Sequence, residues 1–377
     1  MYTKVNNFFL ALFIILGLIE LIVKKKVVNG FGFFVRSWPI ISFFVLSVLA
    51  SFREYKISEL LFLEKHLSLL FVPIVILAKN RLVYHGRRDK IFTFLVLGTV
   101  TTLLLCNIYF FLSKGIINPI NIDVHEFTKI ADTHPTYLGL FIISSIFYLL
   151  QAKKIKKPVK AILILFLTYG LIQLVKDITL FLLALFLIYV LVSYLESHVV
   201  RNVLLLFVLG ICLSIANMNL EKYLNNNLFS VNTILDDKRI DRWQVSFEIF
   251  QENPIYGVGF NDIKNKRKTK YIKGDYELAA ANNLNAHNQF LEYLSVNGAL
   301  GGIFYVSSMG FLFFLAIARK DYLYTFLFLA FILSNITESM MVRIKGIEYF
   351  AIFASLFIAG GGYLKDDKNN HLVAKPK

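Results

Sequence analysis

The residues best suited to chemistry are a few histidines, arginines and acids set among long apolar runs. His287 stands in Leu284-Asn285-Ala286-His287-Asn288-Gln289-Phe290-Leu291-Glu292, a polar stretch that leads into an apolar helix. An imidazole accepts a proton near neutral pH, which makes His287 a candidate general base. The plainer alternative is a satisfied histidine at a membrane interface. His134, in Thr133-His134-Pro135-Thr136-Tyr137, is a second candidate. Two histidines with no acidic or cysteine partner at ligand spacing make a poor metal site, so neither a metal nor a cofactor is expected.

Cations and glycines accompany them. Asp236 to Gln251 reads as an amphipathic helix with Ile240, Trp243, Phe247 and Phe250 on its apolar side. Arg239 and Trp243 are four residues apart and share a face, with Arg242 close by. Asn253-Pro254-Ile255-Tyr256-Gly257-Val258-Gly259 then stops the helix and turns the chain. Gly257 and Gly259 alone are a weak phosphate signal, because no third glycine or βαβ unit follows. Lys176-Asp177 interrupts an apolar stretch, either as an ion-paired surface turn or as the lining of a functional cavity. Glu338, in Thr337-Glu338-Ser339 with Arg343 nearby, carries the same two readings.

The elements that must position these groups are membrane helices. Of 377 residues, 57% are hydrophobic and only 17% charged, against about a quarter charged in soluble chains. Apolar runs recur at about 7–23, 37–52, 58–78, 91–113, 135–151, 159–175, 178–195, 199–216, 294–317, 321–337 and 346–363, each close to the length that spans a bilayer as a helix. They do not alternate, which argues against a barrel. The fold class expected is therefore all-α, a polytopic transmembrane bundle of about eleven spans. The first run is not read as a cleavable signal, because Lys24-Lys25-Lys26 follows it directly. Basic residues fill alternate loops: Arg36; Arg81, Arg87, Arg88 and Lys90; Lys153 to Lys160; Arg319 and Lys320. The positive-inside rule then sets the N-terminus outside and the C-terminus inside. The net charge of +15 is read as topology and contact with anionic lipid rather than nucleic acid. Cys106 and Cys212 lie inside apolar runs and predict no disulfide framework.

This topology divides the chain into spans 1–8 at 1–216, an extracytoplasmic loop at 217–293, spans 9–11 at 294–363 and a cytoplasmic tail at 364–377. It gathers the 114–134 loop, the Lys176-Asp177 turn, the 217–293 loop and the 338–345 turn on one outer face. The loop of about 75 residues is too long for a plain connector and is the expected carrier of binding residues. Its basic run Lys264, Lys266, Arg267, Lys268, Lys270 and Lys273 reads first as a solvated face and second as a contact for acidic sugars or phosphates.

Taken in order, Arg239-x-x-x-Trp243, Asn253-Pro254-x-x-Gly257-Val258-Gly259, Asn285 to Glu292 and Gly298-x-x-Gly301 resemble the core of the O-antigen ligase and polymerase superfamily. His134-Pro135-Thr136-Tyr137-Leu138, Thr337-Glu338-Ser339 and Gly346 extend the likeness, which runs from about 125 to 360. The resemblance implies a metal-independent bacterial membrane glycosyltransferase of cell-envelope (lipopolysaccharide) biosynthesis, in the cytoplasmic (inner) membrane with its active face periplasmic. Its donor would be a glycan on undecaprenyl diphosphate. The acceptor would be a lipid A-core sugar for a ligase, or a lipid-linked glycan for a polymerase. His287 would be the base, and Arg239 with Arg242 would hold the diphosphate. Trp243, Gly257, Gly259, Asn288, His134 and Glu338 would support them. A second family arginine follows a serine; here Lys176 stands at that position without the serine and loses the bidentate fork.

Two other classes compete. A lipid-linked oligosaccharide transporter would carry polar residues at the bilayer midplane and internal repeats, whereas the charges here gather at one surface. A non-enzymatic assembly scaffold would tolerate changes at Arg239 or His287.

Overall fold

The computed structural model describes residues 3–24, 30–52, 60–78, 87–115, 123–174 and 238–360. Every regular element among them is helical. In chain order these are α1 (Thr3–Val23), α2 (Gly30–Ser51), α3 (Leu60–Glu64), α4 (Leu67–Leu77), α5 (Arg88–Lys114), α6 (Val124–Thr128), α7 (Pro135–Gln151), α8 (Lys157–Leu174), α9 (Lys238–Glu252), α10 (Gly259–Lys273), α11 (Glu277–Ala281), α12 (Gln289–Ala318), α13 (Tyr322–Thr337) and α14 (Ile344–Gly360).

Five of these, α1, α2, α5, α8 and α12, contain a stretch long and apolar enough to cross a membrane. A sixth is added if the 124–131 segment and α7, which meet at a 73° bend, form one span. The expected runs 178–195 and 199–216 lie outside the described residues, as does the inner part of the long loop before Lys238. The short 37–52 run belongs to a longer helix, α2, which continues through Pro39. The 58–78 run instead breaks at Lys65-His66 into α3 and α4.

The outward surface of the bundle is apolar. Phe94 is 71% exposed and Leu112 is 78% exposed, both on α5. A soluble protein would bury such rings and branches, whereas hydrocarbon solvates them. Hydroxyls inside the bundle are satisfied locally: Ser47, Thr99, Thr102, Ser144 and Ser145 each donate to the carbonyl four residues earlier. Between α5 and α8, Asn107 and Gln173 exchange two hydrogen bonds, Gln173 Nε2 to Asn107 Oδ1 at 2.7 Å and Asn107 Nδ2 to Gln173 Oε1 at 3.2 Å. Such a pair contributes about 1 kcal/mol to helix association in lipid.

The two ends of the bundle hold different groups. At one end Arg88 grips Asp321 with two bonds of 2.8 and 2.9 Å, and Lys154 meets Asp89 at 2.9 Å. Asp321 caps α13. That helix carries the chain about 24 Å, at 1.5 Å per residue, to Glu338 at the other end.

Candidate active site

Three loops distant in sequence meet at the Glu338 end. They are the stretch 284–288 before α12, the turn 338–343 between α13 and α14, and the turn 131–134 before α7. His287 Nδ1 lies 3.3 Å from Glu338 Oε2. Asn288 Nδ2 donates to the Ile336 carbonyl at 3.3 Å, and the Met341 amide donates to Gln289 Oε1 at 2.6 Å. Tyr137 donates its hydroxyl to the Met340 carbonyl at 3.1 Å. Lys345 Nζ donates to the carbonyls of Asp132 and Ala131 at 2.9 and 3.2 Å. Gly346 fits because a Cβ there would collide with the Met340 carbonyl. The motifs at 134–137, 285–292, 337–339 and 346 thus form one platform.

The His287 backbone is held in the left-handed region, at φ +47°. Histidine tolerates that region better than most residues, and local bonds fix it there. Asn285 Oδ1 accepts the His287 amide at 3.1 Å, and Glu292 Oε2 accepts the Ala286 amide at 3.2 Å. Asn288 caps α12 by accepting the Leu291 amide. About a quarter of the His287 side chain stays exposed, so the ring is both fixed and reachable. Spacing along the chain offered His287 no acidic partner; the fold supplies one from 51 positions away.

Burial alone would raise the Glu338 pKa. The hydrogen bond from His287 and the charges of His287, His134 and Arg343 outweigh it and hold the carboxyl below the usual range. A depressed carboxyl pKa means that this stabilisation is present above the ordinary carboxylate range. It is lost as pH falls through the pKa of Glu338 in the folded protein.

One residue of the basic run is not a surface group. Arg267 is buried and forms a two-pronged pair with Glu292, Nη1 to Oε1 and Nη2 to Oε2 at 3.0 Å each, with Nη2 also donating to Ser295 Oγ at 2.8 Å. The solvated-face expectation fails here because Ile263, Arg267 and Tyr271 form the buried stripe of α10. That i, i+4, i+8 line was the available signal. Lys270 is also committed, bridging Glu252 at 2.7 Å and Glu248 at 3.2 Å on α9. Burial pushes the Tyr271 hydroxyl up to about 12, and it donates to the Leu284 carbonyl at 3.2 Å. Arg267, Tyr271 and Glu292 therefore all brace the loop that carries His287.

Helix α9 packs against α12 and α10. Arg242 is buried and close enough to act on the charge of Tyr271. Arg239 lies half-buried in the first turn, one turn before Trp243. The turn after α9 docks into a break in α12. Gly298 there has φ +66° and ψ −158°, which bends the helix. Gly257, at φ +67°, lies against the Val296 and Asn297 backbone, and Gly298 against Ile255 and Gly257. The crossing is closed by Val258 N–H to the Ser295 carbonyl at 3.1 Å and Ala299 N–H to the Pro254 carbonyl at 2.7 Å. Gly259, at φ +78°, starts α10. These glycines thus serve a backbone crossing, for which the weak phosphate reading had no use.

A cavity of about 240 Å³ adjoins the platform. Its walls are α5, α7 and α14, with Phe94, Leu95, Phe141 and Phe353 along its length and Thr133, Lys345 and Glu348 among its polar members. Asn6 of α1 donates to Glu348 at 2.6 Å. Glu348 is buried one turn into α14, so the expectation that charges stay at one surface does not hold for it. Lys176 lies outside the described residues.

Fold and site together define a multi-pass helical membrane protein with a polar platform that carries a fixed histidine beside a buried carboxylate. Residues 161–306, less than half of the chain, match the family model described as O-antigen ligase. The match includes Lys176, Arg239, Arg242, Trp243, Gly257, Gly259, His287 and Asn288; His134 and Glu338 lie beyond it. Members are glycosyltransferase-like enzymes acting on lipid-linked glycans. No curated protein matches the chain.

Proposed function

We propose that this protein is a membrane glycosyltransferase that moves a glycan from undecaprenyl diphosphate to a lipid A-core acceptor, the O-antigen ligase reaction. The observation that carries the reading is His287, exposed and locked on a platform inside the family match, with Arg239 and Arg242 on the helix packed behind it. The platform is the periplasmic face of an eleven-span bundle in the inner membrane, with the N-terminus outside and the C-terminus inside. The separation of the Arg88–Asp321 end from the His287–Glu338 end supports that sidedness. In this reading residues 217–293 are the extracytoplasmic loop, flanked by spans 1–8 and 9–11 and followed by a cytoplasmic tail.

The chemistry balances without a metal. The acceptor hydroxyl oxygen attacks the anomeric carbon of the donor sugar. The bond from that carbon to the diphosphate oxygen breaks, and lipid diphosphate leaves with the electron pair. His287 takes the hydroxyl proton, a role that contributes about 10²–10⁴-fold. Arg239 and Arg242, with Lys176, stabilise the charge that grows on the leaving diphosphate. Arginine suits this because it meets two oxygens at once.

The test is surface-glycan analysis by gel in a deletion strain, complemented with wild type and His287→Ala. We expect the deletion and His287→Ala, with normal membrane levels, to lose long chains from the lipid A-core while lipid-linked polymer accumulates. A core capped with one repeat would make the protein a polymerase instead. Normal glycan in His287→Ala would sink the catalytic role.

The cavity between α5, α7 and α14 is the proposed seat of the first isoprene units of the donor. From Ile91 to Thr102 its α5 wall runs about 16 Å at 1.5 Å per residue, and its polar members adjoin the platform. A photo-crosslinking residue at the partly buried, cavity-lining Phe141 should capture the lipid-linked donor, and one at outward-facing Phe8 of α1 should not. Equal capture at both positions would remove this assignment.

A further inference from the structure

We propose that Glu338 is the positioning residue of the site: it holds His287 with its Nδ1 protonated and turns Nε2 toward the acceptor hydroxyl. The inference rests on the proposed role of His287 as base and adds to it the partner that makes the ring competent. Three observations carry it. Glu338 Oε2 lies 3.3 Å from Nδ1, while the other carboxylate oxygen accepts the Ser339 amide at 3.1 Å, so the carboxylate is itself fixed. Glu338 is 6% exposed, in a place where a carboxylate without a donor would be costly. Asn288 and Gln289, which directly follow His287, tie the reacting loop to the end of α13 and to the turn holding Glu338.

A carboxylate that accepts one ring N–H fixes the tautomer, leaves the other nitrogen as the acceptor and stabilises the imidazolium as the proton arrives. No proton passes to Glu338 in this step. It moves from the acceptor hydroxyl to Nε2 and leaves later to water. His134, from the start of α7, and Arg343, from the same turn as Glu338, also face the carboxylate. Both are cationic or can become so, and they keep Glu338 ionised while His287 is neutral.

The experiment has two readouts on the full-length protein in lipid nanodiscs. In protein labelled with ¹⁵N-histidine, with His287→Ala used for assignment, neutral His287 should show a protonated Nδ1. In Glu338→Gln the Nδ1-protonated tautomer should lose its dominance, because the amide can donate to Nδ1 as well as accept from it; Glu338→Asp should recover part of that preference. In glycan transfer by the same samples, Glu338→Gln should lose at least tenfold in kcat with little change in KM, and Glu338→Asp should regain part of the loss. A purely structural role would lower activity without changing the tautomer. A bare Nδ1 in the wild type, or an unchanged tautomer in Glu338→Gln, overturns the inference even if His287→Ala is inactive. The expected tautomers in a protein that transfers no glycan would overturn the proposed function and leave the Glu338–His287 pair standing.

Discussion

Arg267→Ala should destabilise the protein by about 3–5 kcal/mol, the usual cost of leaving one member of a buried ion pair alone. Glu292 would remain about nine-tenths buried with its carboxylate facing an empty space, and the Ser295 hydroxyl would lose its donor. The damage should travel to the site, because Glu292 also holds the Ala286 amide next to His287. The measurement is the half-life of folded protein in detergent at a fixed temperature, with glycan transfer measured on the surviving fraction. Arg267→Met with Glu292→Met should recover much of the stability, since a well-packed apolar pair avoids the buried charge. It should not recover activity, because methionine cannot accept the amide. A single Arg267→Ala that unfolds like wild type would mean that the pair is solvated in the working protein.

Gly298→Ala should be worse still and leave little folded protein. Its φ and ψ lie in a region open essentially to glycine alone, which by itself costs an alanine about 1–3 kcal/mol. The new Cβ would also strike the backbone of Ile255 and Gly257, and neither can step aside without opening the crossing. Gly310 gives the control on the same helix. A Cβ there meets nothing within 4 Å, so Gly310→Ala should be neutral or stabilise by about 0.5–1 kcal/mol. Equal folded yields of the two variants, measured by size-exclusion chromatography of fluorescent fusions, would refute the backbone explanation.

The sequence made the class of fold legible because lipid imposes a coarse rule. A span must be apolar for its whole length, and that leaves a mark on every residue of α1, α5 and α12. It said less about α3 and α4, because only the short polar step Glu64-Lys65-His66 announces a break between them, and hydropathy averages across it. The site was legible as residue types. His287, His134, Glu338, Asn288 and the glycines all stood out by chemistry, and the fold brings His287, Asn288, His134 and Glu338 to one platform.

Their pairings were not legible. Glu338 meets His287 across the whole of α12 and α13, a contact that no spacing rule reaches. Arg267 was hidden for the opposite reason. Five lysines around it are cheap to solvate, and only its place on the line from Ile263 to Tyr271 distinguishes it from them. Glu348 escaped notice because a single acid near the start of a long apolar run resembles an interfacial residue. Burial beside Asn6 is a property of the packed bundle alone.

The crossing of Gly257 and Gly298 bears on how the chain can change over time. Each glycine leaves room for the main chain of the opposing segment, so enlarging either one meets atoms that no compensating side-chain change can remove. The usual escape for a crowded core, a smaller neighbour, is closed, since the atoms struck are backbone of Val296, Asn297, Ile255 and Gly257. Single substitutions at either position are dead ends. A lineage that abandons the crossing must remodel the 253–259 turn and straighten α12 together. The two positions should therefore behave as one inherited character, kept whole or lost whole, while the exposed lysines of α10 between them drift freely.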